Sequence, residues 1–191
     1  MSEGPVLEEP RADWRSDPEL RQVEVVVCTT GGTFVGHAYR TSRLRLLDAL
    51  NKGFAVHGTL IATDYIPMTE VQLYLPDGSQ HGMASAHIRK ASVFFVAERK
   101  GGQPEGGTSK VGKVIVAKKP VDVTLCTLGH VLDGSLHSAA WAQLVTSLYH
   151  KETFVPLTNV KIRPPLANGE GQFEFVAVNN DKVIYVGEPK E

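Results

Sequence analysis

The 191-residue sequence predicts a mainly β protein with short helices, α+β in class. It reads as two tandem duplicated units, each a bent antiparallel sheet or small barrel of about four strands plus one helix. Three observations carry this. VEVVVCTTGG (Val23–Gly32) recurs as VDVTLCTLGH (Val121–His130), 98 positions on. Four blocks recur in the same order, as an internal duplication leaves them. Apolar residues within the blocks alternate with a period near two, as half-buried strands require.

Residues 1–22 read as an acidic, flexible arm, with six acids among the first twenty residues against Arg11 and Arg15. The arm has no apolar run of the kind a signal peptide carries, and no stretch reaches the ~20 apolar residues of a membrane span. A cytoplasmic protein is therefore expected, with its two cysteines kept as thiols. A net charge of −1 provides no general field to attract nucleic acid or an anionic membrane.

Unit one spans residues 23–98. Val23, Val25 and Val27 share one strand face, with Val121, Val123 and Leu125 equivalent, while Glu24 and Asp122 point the other way. TTGGT (Thr29–Thr33) lacks the lysine of a phosphate-binding loop and precedes a strand, so it reads as a hairpin turn. Over Val23–Gly36 and Val121–Gly134 six of fourteen positions are identical, including Cys28/Cys126 and Gly36/Gly134. A glycine inside a strand marks a bulge, a sharp bend or close backbone approach. RLRLLDALNKG (Arg43–Gly53) reads as a short helix with Leu46, Leu47 and Leu50 on one face and Gly53 as its stop. Its counterpart is Ser138–Lys151. An insertion around Gly53–Thr63 follows in unit one. Strands near Ile66–Leu75 and His87–Ala97 then complete the unit, and YIPMTEV and ASVFFVAE recur as FVPLTNV and DKVIYVGE.

A Gly-rich basic linker (99–113) joins the units, followed by a leading strand at Val114–Ala117. Unit two runs over 114–188, with a tail at 189–191. Sheets of this kind expose edges that need cover, and a second copy of the unit supplies it.

RLLDALN (Arg45–Asn51) followed by YIPMTEV resembles the Arg-Leu-x-Asp-x-Leu-Asn … Phe-x-x-Leu-Thr-x-Val signature of small, uncharacterised bacterial β-rich domains. Unit two keeps FVPLTNV but has Thr146 and Tyr149 where Asp48 and Asn51 stand. The resemblance implies a bacterial origin and no assigned activity. In shape the unit is also similar to Sm-like small barrels, which combine strands, a helix and an Asp/Asn motif. Here Gly36 stands twelve residues before Asp48, roughly twice the Sm spacing, so the likeness is one of shape.

The candidate binding residues are Arg40, Arg43 and Arg45 before the first helix, joined by Arg89 and Lys90 if their strand lies nearby. Such a cluster suits a phosphate backbone or an acidic partner segment. Asp48 and Asn51 are candidates for ligand contact, or for bonding backbone at the helix ends. Cys28 and Cys126 form a possible thiol pair, yet neither has a second metal ligand close in sequence. The seven histidines form no HxH or HExxH arrangement, so no metal is expected, and nothing implies a cofactor. No acid pair, Ser/His/Asp set or GxGxxG is present. The reading that follows is a non-enzymatic protein-binding, self-associating or scaffold protein. The alternative is a nucleic-acid or nucleotide binder using the basic cluster, and the third is a thiol-based redox switch.

Overall fold

The structure is a computed structural model that describes residues 20–56, 59–61, 64–99, 119–138 and 152–188. The leading strand at Val114–Ala117 and the counterpart helix expected from Ser138 lie outside these residues, except for Ser138 itself. So do the linker beyond Arg99 and all of the arm before Leu20.

The first strand, β1 (Leu20–Thr29), turns through Thr30-Gly31 into β2 (Gly32–Thr41), as the glycine-containing turn predicts. Helix α1 (Leu46–Lys52) buries Leu46, Ala49 and Leu50, and ends at Gly53, whose amide donates to Ala49 O. The insertion forms a small hairpin of β3 (Phe54–Val56) and β4 (Thr59–Ile61). Then come β5 (Tyr65–Tyr74), β6 (Gln80–Arg89) and β7 (Val93–Glu98). The expected strand at His87–Ala97 is thus two strands. A 3-10 turn at Lys90–Ser92, closed by Ser92 Oγ donating to Arg89 O, breaks it and returns the chain to β1.

The C-terminal half contains β8 (Lys119–Thr127), β9 (His130–Ser138), β10 (Phe154–Arg163), β11 (Gln172–Asn179) and β12 (Tyr185–Gly187). All ten major strands form one antiparallel sheet in the order β12-β8-β9-β10-β11-β7-β1-β2-β5-β6. Each unit is expected as a bent sheet or small barrel of its own, with the second copy covering the first one's edges. Instead the sheet is continuous and open, because β7 of the first half pairs with β11 of the second. Each half contributes five strands rather than four.

Read across the sheet from β12 to β6, the order has an internal regularity. The first half runs fifth-first-second-third-fourth strand, and the second half does the same. Registers match too. Tyr65 faces Arg89 and Phe154 faces Asn179, while Phe95 faces Cys28 and Tyr185 faces Cys126. Glu70 and Asn159, equivalent positions in β5 and β10, both take left-handed backbone, with φ of 52° and 53°. Each bulge is met by a glycine. A Cβ at Gly36 would stand 2.9 Å from Thr69 O, and one at Gly134 would stand 2.9 Å from Thr158 O. Only hydrogen fits where the bent strands approach this closely.

The halves share their core. On one sheet face Val26, Cys28 and Phe95 pack with Leu125, Leu132 and Leu157. On the other, Val25, Val27, Leu50 and Ile66 pack with Phe154 and Ala177. Strand β1 is therefore buried on both faces, which explains its near-continuous valine run.

Candidate functional site

The basic cluster separates into individual local roles. Arg40 donates from Nη1 to Leu44 O at 2.7 Å and so holds the loop entering α1. Burial pushes the Glu98 carboxyl up, and the charge of Arg40 offsets part of that. Arg45 is exposed, and its backbone N–H and Nε both donate to Asp48 Oδ2, at 3.2 and 3.3 Å. Asp48 thereby closes the helix start as a capping acid. Burial raises its carboxyl, but the Arg45 hydrogen bonds and the Arg45 and Lys52 charges outweigh this and hold it below its ordinary range. Arg43 is exposed.

Asn51 crosses to the other half rather than capping its own helix. Its Nδ2 donates to Phe154 O at 2.9 Å, and its Oδ1 accepts from Phe154 N–H at 2.8 Å. One side-chain amide thus satisfies both backbone groups of a fully buried residue, in place of an adjacent strand. Lys90 is half-buried and donates from Nζ to Leu50 O at 2.7 Å, near the helix C-terminus where a cation is favoured. Its ammonium also lies 5.5 Å from the Phe54 ring centroid. Burial pulls its pKa down, against the charge of Asp64.

These residues lie around the joint between the halves. At its end Asn179 donates to the carbonyls of Lys90 and Val93, at 3.2 and 2.9 Å. At its other end Arg99 bonds Glu24 from Nη1 at 2.6 Å and Glu170 from Nε at 2.8 Å, tying the β10–β11 loop to β1. An open hollow of about 310 Å³ sits over the joint, lined by Arg89, Lys90 and Lys182 on the basic side and Asp64 and Asp181 on the acidic side. The structure thus brings Asn51, Arg89 and Lys90 to one region and gives Arg40, Arg45 and Asp48 local bonds around the start of α1.

Both cysteines are free thiols. Cys28 is buried, and burial pushes its thiol up to about 12, so it stays protonated although His130 Nδ1 lies 4.0 Å from its sulfur. Burial likewise pulls His130 down, which disfavours the charged imidazole that would stabilise a thiolate. Cys126 is half-buried and its Sγ bonds Thr127 O. Among the described residues no three His, Cys, Asp or Glu side chains converge as a metal site would need, and no helix is long and apolar enough to cross a membrane.

Exposed sheet edges are expected from the sequence, but which strands form them is not. Among the described residues β6 pairs only with β5, and β12 only with β8. All positions of β6 except Ile88 are exposed or half-exposed. Ile184 and Tyr185 are 65% and 51% exposed, whereas Phe94 and Phe95, at the same places of the matching block, are 6% and 0% exposed. The signal was present in the alignment of ASVFFVAE with DKVIYVGE, which keeps apolar residues at both positions. No protein-family model, curated protein or solved structure matches the chain.

Proposed function

We propose that this chain is a non-enzymatic assembly protein, a duplicated β-rich unit whose sheet edges engage protein. The observation that carries the reading is the pair Ile184 and Tyr185. They are large apolar side chains left open at an edge strand, where Phe94 and Phe95, at the same places of the matching block, are buried in the core. Exposed strand edges with adjacent apolar side chains are surfaces that bind by strand addition. The matched registers, the paired bulges and the repeated strand order support descent of both halves from one unit. The kinship with small bacterial β-rich domains and the shape likeness to Sm-like barrels belong to this same proposal.

A tagged pull-down with and without nuclease tests it. A stoichiometric protein that survives nuclease and is lost on Ile184→Asp with Tyr185→Asp supports the reading. A partner retained by that variant, or a turnover abolished by a single substitution with the fold intact, contradicts it.

One observation favours a second reading. Arg89, Lys90 and Lys182 converge on the hollow at the joint, as a nucleic-acid or nucleotide phosphate would require. Asp64 and Asp181 line the same hollow and weaken the field, and Lys90 is already bonded to Leu50 O. Recovered RNA or DNA that is lost after charge reversal at Arg43 and Arg89 would promote this reading. The thiol-switch reading is the weakest, given the buried, protonated Cys28.

A further inference from the structure

We propose that copies of this chain associate head to tail, β12 of one copy adding to the outer edge of β6 of the next, in the register that β7 and β11 use within the chain. The inference rests on the reading above and names the partner of its free edge.

The joint inside the chain is the template. There β11, the fourth strand of its half, pairs with β7, the fifth strand of the other half. At the two ends of the sheet the same two kinds of strand have, among the described residues, no partner on their outer side: β6 is a fourth strand and β12 a fifth. The correspondence is fixed by pairing partners as well as by sequence. Phe95 and Tyr185 face the two equivalent cysteines, and Arg89 and Asn179 face the equivalent Tyr65 and Phe154. Within the chain the joint pairs Phe175 with Glu98, Val176 with Ala97, Ala177 with Val96 and Val178 with Phe95. Carried over by the offset of 90 residues, this sets Ser85 opposite Glu188, Ala86 opposite Gly187, His87 opposite Val186 and Ile88 opposite Tyr185.

Three features agree with this docking. The exposed Ile184 and Tyr185 stand where a covered pair stands in β7. Arg89 is exposed and occupies the place of Asn179, which donates to the carbonyls of Lys90 and Val93. The corresponding carbonyls on the neighbour belong to Asn180 and Val183, so Arg89 is the donor there. Finally, β6 carries Met83, Ser85 and Ala86 where β11 carries Phe173, Phe175 and Val176. Less apolar cover makes the contact between copies weaker than the joint within the chain, and hence reversible on dilution. Because the two surfaces differ, the contact is heterologous and propagates into a ring or an open chain.

Light scattering on the intact chain tests this with two double variants. Ile184→Asp with Tyr185→Asp blocks β12, and Ser85→Asp with His87→Asp blocks β6. All four residues are exposed or, for the β12 pair, more than half exposed in the single copy, so thermal midpoints should match that of the dilute wild type. A milder pair, Tyr185→Ser and Ser85→Glu, repeats the experiment should either double variant lose its fold. The expected result is a wild-type mass above that of one chain that falls on dilution. Each variant alone should be monomeric, and an equimolar mixture should give a one-to-one dimer and nothing larger. A β6 variant that still dimerises alone would mean that β12 pairs with β12, and would overturn the proposal. A wild type that is monomeric throughout overturns it as well, while the protein-binding reading stands or falls separately on the pull-down.

Discussion

Strands β7 and β12 carry matching sequences, ASVFFVAE and DKVIYVGE, in opposite surroundings. In the first, Val93 to Ala97 are buried between β1 and β11. In the second, among the described residues only β8 pairs alongside, and Ile184 and Tyr185 are exposed. The strand order places β7 inside the sheet and β12 at its end. Among the described residues β7 has a paired strand on each side, and β12 has one on a single side. The same logic makes β6 exposed along almost its whole length while its counterpart β11 is buried over Val176–Asn179.

The sharpest way to break this comparison is to truncate both strands. Phe95→Ala should cost about 3–5 kcal/mol, because the ring is fully buried. Tyr185→Ala in the dilute chain should stay within about 0.5 kcal/mol. Denaturant unfolding reads both, and an equal loss would mean that the chain covers its own β12. The bends provide the converse comparison. Gly36→Ala and Gly134→Ala should each cost about 1–3 kcal/mol, since each Cβ would crowd a carbonyl oxygen on a bulged neighbour. A cost at one position alone would show that the bends are not equivalent.

Asn51→Ala removes both hydrogen bonds to the Phe154 backbone and should cost about 2 kcal/mol. It should also speed hydrogen exchange at the start of β10. Arg99→Ala acts at a partly exposed ion pair and should cost about 1 kcal/mol or less, shrinking as salt is added. The smallest effect concerns the thiols. Cys28 should resist alkylation at neutral pH while the half-buried Cys126 reacts first, as peptide mass spectrometry would show. With the folded thiol raised from 9.0 to about 12, its contribution to stability is full below 9.0 and is lost as pH rises through about 12.

Local features were legible in the sequence. The β1–β2 hairpin, the helix with its Gly53 stop and the glycine bends all follow from residue type and spacing. Strand β6 was not legible, because a strand open on both faces carries no apolar alternation. The break at Lys90–Ser92 carries no Gly or Pro to announce it. Asp48 was read as a residue that bonds backbone, and it does so at Arg45 N. Asn51 was expected to cap a helix or meet a ligand, and its bond to Phe154 spans 103 residues, beyond the reach of any local pattern. The Arg40, Arg43 and Arg45 cluster is a cluster in sequence, but the bonds of Arg40 to Leu44 O and of Arg45 to Asp48 occupy two of its three cations.

The most direct measurement is hydrogen exchange of the intact chain over a range of concentrations. The account expects amides of Val93–Ala97 to be protected at every concentration, with those of Ile184–Gly187 and Ser85–Ile88 gaining protection together as concentration rises. Exchange at β12 and β6 that is indifferent to concentration would contradict it.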